Sequence, residues 1–355
     1  MRIVAAMSGG VDSSVAAALL KQAGHEVIGL SMQLYDQSGG TKSFGSCCTL
    51  DDLYDARRVA SSLGIPHYIV NLEGRFQDTV VANFVREYLA GRTPLPCAHC
   101  NTDLKFAELV TRALGLGAEA VATGHYARVD RPRTDGPWRL QRGLDPSKDQ
   151  SYFLFGLTQE QLAHAVFPLG EMTKAHVREI ARGLGLAVAD KRDSQEICFV
   201  PDNGYAAVVE RRAGGAARPG AIVDGDGQAL GRHDGVHRFT IGQRKGLGLS
   251  SAEPLYVIGL RADRAEVVVG AKPQLERREL TAVDVNWIAG GPPPTPLRAT
   301  AQIRSRHTPA PALVEPLDDG RARVTFDEPQ LAVTPGQAVV FYAGDEGLGG
   351  GWIRV

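Results

Sequence analysis

The chain has 355 residues, 43% hydrophobic and 22% charged, which is ordinary globular composition and long enough for two or three domains. Five cysteines are too few for a disulfide framework, and no run of about 20 apolar residues occurs, so we expect neither a disulfide scaffold nor a membrane protein. The start, MRIVAAM, lacks the charged and apolar regions of a signal peptide, which predicts a cytoplasmic protein. Because the net charge is only −1, a nucleic-acid partner would need local basic patches.

Up to about residue 200, short apolar runs alternate with stretches at helical spacing, as in parallel βαβ units. Strands are predicted to end at Ala6 and to cover 27–32, 67–71 and 118–124. Helices are predicted from Val11, around 53–63, and over 76–89 and 104–114. This order predicts an α/β doubly wound parallel sheet in residues 1–205.

After Cys198 the glycines and prolines multiply and the apolar runs shorten, which predicts two smaller, mainly β domains, residues 206–278 and 279–355. The first of these carries 12 basic and 8 acidic residues, a balance of +4 that would suit a nucleic-acid backbone or a solvated face. The stretch 290–296, GGPPPTP, fits a domain connector or a long surface turn. Arg304 and Arg306 are predicted to share one face of a strand, where they would follow phosphates.

The strongest chemical signal is SGGVDSS, residues 8–14, between a predicted strand and a predicted helix. Small residues let the backbone close around an oxyanion, and a helix N-terminus adds positive potential, so a phosphate chain is the expected ligand. The run lacks the lysine of a Walker P-loop. A plain glycine turn, with Asp12 or Ser13 capping the helix, is the alternative interpretation.

SGGVDSS resembles the pyrophosphate-binding loop of the ATP pyrophosphatases, which cut ATP between its α and β phosphates. Further motifs are similar to those of the bacterial tRNA-specific 2-thiouridylases, and the resemblance covers nearly the whole chain. These motifs are TPLPCAHCN (93–101) with Lys105-Phe106, TGHYAR (123–128), KDQSYF (148–153), DSQEICF (193–199) and TIGQRKGLG (240–248). The resemblance implies an adenine nucleotide alpha hydrolase-like catalytic domain, a central tRNA-binding domain and a C-terminal β-barrel-like domain.

The same resemblance implies ATP with Mg²⁺ and tRNA as ligands, and it transfers roles to residues that could each also be ordinary core or surface residues. The implied ATP contacts are Ala6, Met7, Ser8, Gly9, Gly10, Val11, Asp12, Ser13, Met32 and Gly124. The implied contacts to the target base are Leu95, Pro96 and Cys97. The implied tRNA contacts are His125, Lys148, Asp149, Gln150, Arg304, Ser305 and Gln337.

The cysteines allow several interpretations. Cys47 and Cys48 are adjacent, so they cannot supply the turn that zinc ligands normally need, and we expect no structural metal. The resemblance implies that Cys198 carries a persulfide, that Cys100 is its catalytic partner, and that the two can form a disulfide. Some relatives have an aspartate at the position of Cys97, which leaves acid/base chemistry open here. Cys97, Cys100 and Cys198 holding an iron-sulfur cluster is the second interpretation.

The expected reaction is ATP-dependent 2-thiolation of the wobble uridine of tRNA. Adenylylation of uridine O2 would precede sulfur transfer from a cysteine persulfide, with sulfur supplied by a cysteine desulfurase or a relay protein. Two alternatives stay open: another adenylylating synthetase or amidotransferase, for which Cys100 and Cys198 would be dispensable, and a non-catalytic tRNA-binding protein.

Overall fold

A five-stranded parallel sheet forms the first half of the molecule. The computed structural model describes residues 1–34, 50–193, 197–200 and 204–354. The sheet has the order β3-β2-β1-β4-β7, and all its neighbouring strands are parallel. Its strands are β1 (Arg2–Ala6), β2 (Glu26–Gln33), β3 (His67–Asn71), β4 (Ala120–Ala122) and β7 (Ala165–Val166).

Helices cover both faces of this sheet because alternate side chains of each strand point to opposite sides. Ile3 and Ala5 pack on one side with the helices Val11–Gln22, Leu50–Leu63 and Lys174–Gly183, whereas Val4 and Val121 pack on the other with the helix Ala107–Gly115. The doubly wound α/β arrangement predicted from the sequence is therefore confirmed. The helices are α1 (Val11–Gln22), α2 (Leu50–Leu63), α3 (Glu73–Phe76), α4 (Ala82–Leu89), α5 (Pro96–His99), α6 (Ala107–Gly115), α7 (Gln159–His164), α8 (Lys174–Gly183) and α9 (Tyr205–Arg212), with π-helical stretches at Gln77–Val81 and Cys100–Phe106.

The second half of the molecule is mainly β, as predicted. A four-stranded sheet has the order β10-β11-β8-β9, formed by β8 (Gly220–Val223), β9 (Ala229–His233), β10 (Tyr256–Arg261) and β11 (Glu266–Gly270). Six later strands pair in the order β12-β15-β14-β13-β16-β17, and a pairing of β12 with β17 closes them into a barrel. These strands are β12 (Glu276–Trp287), β13 (Leu297–Gln302), β14 (Ala310–Leu317), β15 (Arg321–Leu331), β16 (Ala338–Ala343) and β17 (Glu346–Arg354).

Three features of the β regions differ from, or add to, the sequence predictions. A hairpin of β5 (Ala127–Asp130) and β6 (Arg139–Arg142), which the sequence reading missed, adds to the barrel sheet through β17. Residues 290–296 connect β12 to β13 within that sheet, so GGPPPTP is a surface turn and not a domain connector. Arg304 and Arg306 lie in a turn after β13 has ended, so their predicted strand is wrong.

Among the described residues, no helix combines the length and the apolar character needed to cross a bilayer.

Candidate functional site

The site lies at the topological switch point of the parallel sheet, where the order in which strands are added changes direction. From β1 the sheet continues to β2 on one side and to β4 on the other, and crevices at such switch points, beyond the carboxyl ends of strands, bind ligands in α/β folds. SGGVDSS follows β1 and leads into α1, and Thr123 to His125 follow β4. The residue that caps α1 is Gly10, which has no side chain to accept from the first helical N–H groups.

Two glycines let the loop adopt this shape. Gly9 has φ of 75°, and a Cβ there would lie 2.1 Å from the Asp52 carbonyl oxygen. A Cβ on Gly124 would lie 2.7 Å from the Ser13 backbone nitrogen. The strand-end segment after β4 therefore touches the loop backbone, and neither position tolerates a side chain without displacing the loop.

A cavity of about 550 Å³ opens beside this loop. All the predicted ATP-contacting residues except Gly9 line it, and the Gly9 backbone lies against that of Asp52. The predicted tRNA contacts His125, Lys148, Asp149, Gln150 and Ser305 line it as well. The fold thus brings residues from three distant parts of the sequence around one cavity.

Two lysines from outside the loop hold it. Buried Lys174 donates from Nζ to both carboxylate oxygens of Asp12, at 2.7 and 2.8 Å. Lys191 Nζ donates to the Gly9 carbonyl at 3.0 Å and lies 2.6 Å from carboxylate oxygens of Asp52 and Asp55. The positive charge that the loop sequence lacks is therefore supplied by tertiary structure.

Asp193 is the carboxylate on which further cations converge. Its oxygens lie 2.7 Å from Lys148 Nζ, 2.8 Å from Lys174 Nζ and 3.0 Å from Arg178 Nη2. Partial burial acts to raise the pKa of Asp193, but hydrogen bonds from Lys148 and Lys174 outweigh it and hold that pKa at about 2. The ion pairs connect Asp12 of the loop, through Lys174 and Asp193, to Lys148.

Two aromatic groups at this cavity are held neutral. Tyr126 donates its hydroxyl to Asp12 Oδ1 at 2.8 Å, and burial together with that carboxylate raises the Tyr126 pKa. His125 Nδ1 lies 2.7 Å from the Thr123 hydroxyl, and burial, with a contribution from Lys105, lowers the His125 pKa to about 3. His125 is therefore an uncharged imidazole at neutral pH and cannot attract a phosphate by charge.

The remaining predicted tRNA contacts occupy different settings. Asp149 is turned inward, where it accepts from Arg142 at 2.8 Å and from the Gly143 and Ser151 amides. The Gln150 side-chain oxygen accepts from the Tyr126 amide at 3.0 Å. Arg304 is exposed and donates to the Leu331 carbonyl, and Ser305 follows it in the same exposed turn.

The cysteine positions fall beside the cavity. Buried Cys100 belongs to an apolar cluster with Phe76, Val80 and Leu104, and half-buried Cys198 packs against the same cluster. Met32 packs on that cluster and also lines the cavity. The two cysteines that the family resemblance selected, 98 residues apart, thus share one cluster that reaches the cavity wall.

The predicted base-contacting residues precede Cys100 directly. Leu95 precedes α5, Pro96 begins it, and Cys97 is exposed. Cys100 begins the π-helical stretch that follows, a conformation frequent at functional sites. Cys47 and Cys48 lie outside the described residues. Within the described part of the chain, no group of three or more His, Cys, Asp or Glu side chains is arranged to hold a metal ion.

The sequence interpretation missed Lys174 and Lys191. One signal was available for the first: Lys174 follows the N-cap Thr173 as the first residue of α8, where a cation opposes the helix dipole. A lysine in that position indicates an acidic partner elsewhere in the fold. Lys191 lies two residues before the DSQEICF motif, but nothing in its local sequence pointed to Gly9.

Residues 1–202 match the family model described as tRNA methyl transferase HUP domain, residues 208–271 the PRC-barrel domain and residues 277–353 the aminomethyltransferase beta-barrel domain. The tRNA-specific 2-thiouridylase MnmA of Geotalea uraniireducens (strain Rf4) is 57% identical, over 99% of this chain and 95% of its own length. The chain belongs to the tRNA-specific 2-thiouridylase family. The MnmA of Geobacter metallireducens is 56% identical over 99% of this chain and 96% of its own. The resemblance that the motifs indicated is therefore confirmed.

Solved structures resemble this 2-thiouridylase family member only distantly. A 4-thiouridine synthetase solved with RNA and bound ATP gives a TM-score of 0.36 at 19% identity, covering 59% of this chain and 49% of that chain. An NMN synthetase from Francisella tularensis gives 0.36 at 18% identity, covering 60% and 76%. Neither likeness adds to the family assignment.

Proposed function

We propose that this chain replaces O2 of the wobble uridine of tRNA with sulfur, using ATP to activate that oxygen. The observation that carries the proposal is the shared cluster of Cys100 and Cys198, which contacts the loop cavity through Met32. A nucleotide site alone would suit any adenylylating synthetase. A pair of thiols at its wall supports sulfur transfer as the second step.

In the first step, uridine O2 attacks the α phosphorus of ATP, the bond to the β phosphate oxygen breaks, and pyrophosphate leaves. The loop residues Ser8 to Ser13 would bind the phosphates through backbone N–H groups, and Ala6, Met32 and Gly124 would line the rest of the nucleotide pocket. Mg²⁺ would accompany the phosphates, and Asp12 is the carboxylate that the loop itself could offer to it. The product is an O2-adenylated uridine whose AMP is a good leaving group.

In the second step, the terminal sulfur of a Cys198 persulfide attacks C2, and AMP leaves with the former O2. The Cys100 thiolate then attacks the Cys198 sulfur, the S–S bond breaks, and 2-thiouridine is released while a Cys100–Cys198 disulfide forms. A thiol reductant restores both thiols, and a cysteine desulfurase or a relay protein reloads Cys198. Both cysteines must approach each other for this exchange, which their common cluster supports.

The tRNA would lie across the cavity mouth and the barrel. We propose contacts from Lys148, the Arg304–Ser305 turn and the basic central region, while Leu95 to Cys97 contact a base turned out of its stack. Asp149 and Gln150 would act by tying the segment after Lys148 to its neighbours, because their side chains already accept from the Gly143 and Tyr126 amides. Residues 1–205, 206–278 and 279–355 would serve as catalytic, central and barrel domains.

The proposal is tested with Cys198→Ser, Cys100→Ser and the control Cys47→Ser. Purified variants receive tRNA, ATP, a cysteine desulfurase and cysteine, and both tRNA nucleosides and pyrophosphate are measured. We expect Cys198→Ser to release pyrophosphate in a tRNA-dependent manner without 2-thiouridine, Cys100→Ser to lose turnover, and Cys47→Ser to match wild type.

Nucleoside mass also separates the alternatives. A methylated nucleoside would favour the activity named in the family-model description. Formation of AMP together with a product that carries no added sulfur would favour another adenylylating enzyme. Full 2-thiouridine formation by Cys198→Ser would refute the persulfide route. Binding of tRNA without any AMP formation by wild type would indicate a non-catalytic protein.

A further inference from the structure

Residues 93–100, which we call the cysteine segment, carry the candidate base contacts and Cys100. The C-terminal barrel holds this segment at two places, which we call grips. The Thr93 amide donates to the Pro335 carbonyl at 2.8 Å, and the Gln337 side-chain nitrogen donates to the Thr93 and Pro94 carbonyls at 3.0 and 3.3 Å. The side-chain nitrogen of Gln337 therefore binds the backbone of the cysteine segment at two consecutive carbonyls.

A ring stack forms a second grip at the other end of the cysteine segment. The His99 imidazole lies parallel to the Trp352 indole, with centroids 4.0 Å apart and planes at 7°. His99 Nδ1 lies 2.9 Å from Asp103 Oδ2, which fixes the orientation of the ring. Leu95 and Ala98 of the segment pack with Ala338 and Val340 of the barrel between these two contacts; the full cluster also contains Tyr152, Phe153, Phe155, Tyr342 and Trp352.

Both grips come from one corner of the barrel. Ala338, the residue after Gln337, pairs with Trp352 across β16 and β17, and the Ile353 amide donates to the Gln337 carbonyl at 2.8 Å. Because these positions are hydrogen-bonded neighbours in a closed barrel, they cannot move independently. A displacement of this corner would carry Cys97 and Cys100 with it.

The same barrel holds the Arg304–Ser305 turn by a similar device. Gln302, at the end of β13, donates from its side-chain nitrogen to the Arg304 and Ser305 carbonyls, each at 3.1 Å. Gln302 pairs with Val340 of β16, the strand that follows Gln337. Gln302, the last residue of β13, and Gln337, just before the adjoining β16, thus each hold two backbone carbonyls, one pair in the turn and one pair in the cysteine segment.

We propose that Gln337 and Trp352 are positioning residues. Through them the barrel determines where Cys100 lies relative to the bound RNA. The proposal rests on the proposed function for the role of Cys100. The contacts of Gln337 and Trp352 with the cysteine segment are a property of the folded chain. A tRNA held at the 304–305 turn then presents its base at a fixed distance from the cysteine segment. In this proposal Gln337 acts through the backbone of the cysteine segment, and its predicted direct contact with tRNA stays a prediction.

The test uses Gln337→Glu, which keeps the shape but cannot donate, and Trp352→Leu, which removes the stack. We expect the single-turnover rate of thiolation to fall about 10- to 100-fold, as misplacement of reacting groups does, while the dissociation constant for tRNA stays within about twofold. Trp352→Phe keeps an aromatic ring against His99 and should restore most of the rate. Gln302→Glu should show the reverse pattern, with weaker tRNA binding.

A second measurement does not depend on activity. Alkylation of Cys100 by iodoacetamide, followed by peptide mass without tRNA or ATP, should quicken several-fold in Gln337→Glu and Trp352→Leu. The matched control is Trp287→Leu, because Trp287 packs on Phe341 in the same barrel and lies in a separate apolar cluster from the segment. If Cys100 labels at the wild-type rate in both folded variants, or equally fast in Trp287→Leu, the inference is overturned. If wild type shows no thiolation but the labelling pattern holds, only the proposed function fails.

Discussion

Asp193→Asn removes the carboxylate that Lys148, Lys174 and Arg178 share, and we expect it to destabilise the protein at neutral pH. The Asp193 pKa of about 2, against an ordinary 3.8, corresponds to roughly 2.5 kcal/mol at about 1.36 kcal/mol per unit. Because 22% of the Asp193 side chain is exposed, solvent screening reduces this to about 1 to 2 kcal/mol.

The pH dependence follows from the sign of that shift. A carboxylate whose pKa is depressed by folding stabilises the protein fully above its unfolded pKa, and the contribution is lost as pH falls from about 4 towards 2. Urea unfolding should therefore show that the difference in free energy of unfolding between wild type and Asp193→Asn falls to about half its pH 7 value at pH 3.

The matched control is Asp190→Asn in the same loop. Asp190 is 77% exposed and pairs only at the surface with Arg182, so its substitution should change stability by less than about 0.5 kcal/mol. Equal losses in the two variants, or an Asp193→Asn loss that does not change with pH, would refute the account of Asp193 as a shared counter-ion.

Three further predictions concern the loop and its neighbours. Gly124→Ala places a Cβ 2.7 Å from the Ser13 nitrogen and should weaken ATP binding at least about tenfold by calorimetry, whereas Gly183→Ala, with open space around it, should not. Lys191→Met frees the Gly9 carbonyl from its anchor and should slow tRNA-dependent pyrophosphate release, while Lys21→Met, at the far end of α1, leaves that rate unchanged. His125 stays neutral from about pH 5 to 8, so His125→Asn should leave the shape of the pH–rate profile unaltered; loss of an inflection near pH 6.5 would contradict this.

Local patterns predicted the first half of the fold well. The strands 27–32 and 67–71 and the helix 76–89 lie where their periodicity indicated, at β2, at β3 and within the helical stretch from Glu73 to Leu89. The short strand Ala165–Val166 and the hairpin 127–142 escaped notice because each depends on pairing with a distant strand rather than on its own sequence. The strand assigned to Arg304 and Arg306 failed because alternating charges also suit an exposed turn.

The sequence by itself determined the loop and its place between a strand and a helix, because small residues at 8–14 and their flanking periodicities are local properties. The family motifs likewise selected Cys100 and Cys198 without any knowledge of distance. Only the tertiary structure decided which charges neutralise the loop, since Lys174 and Lys191 lie more than 160 residues away and their partners are set by sheet order and helix packing. It also decided that the barrel holds the cysteine segment, because contacts such as Gln337 to Thr93 span 244 residues and leave no periodic trace in the chain.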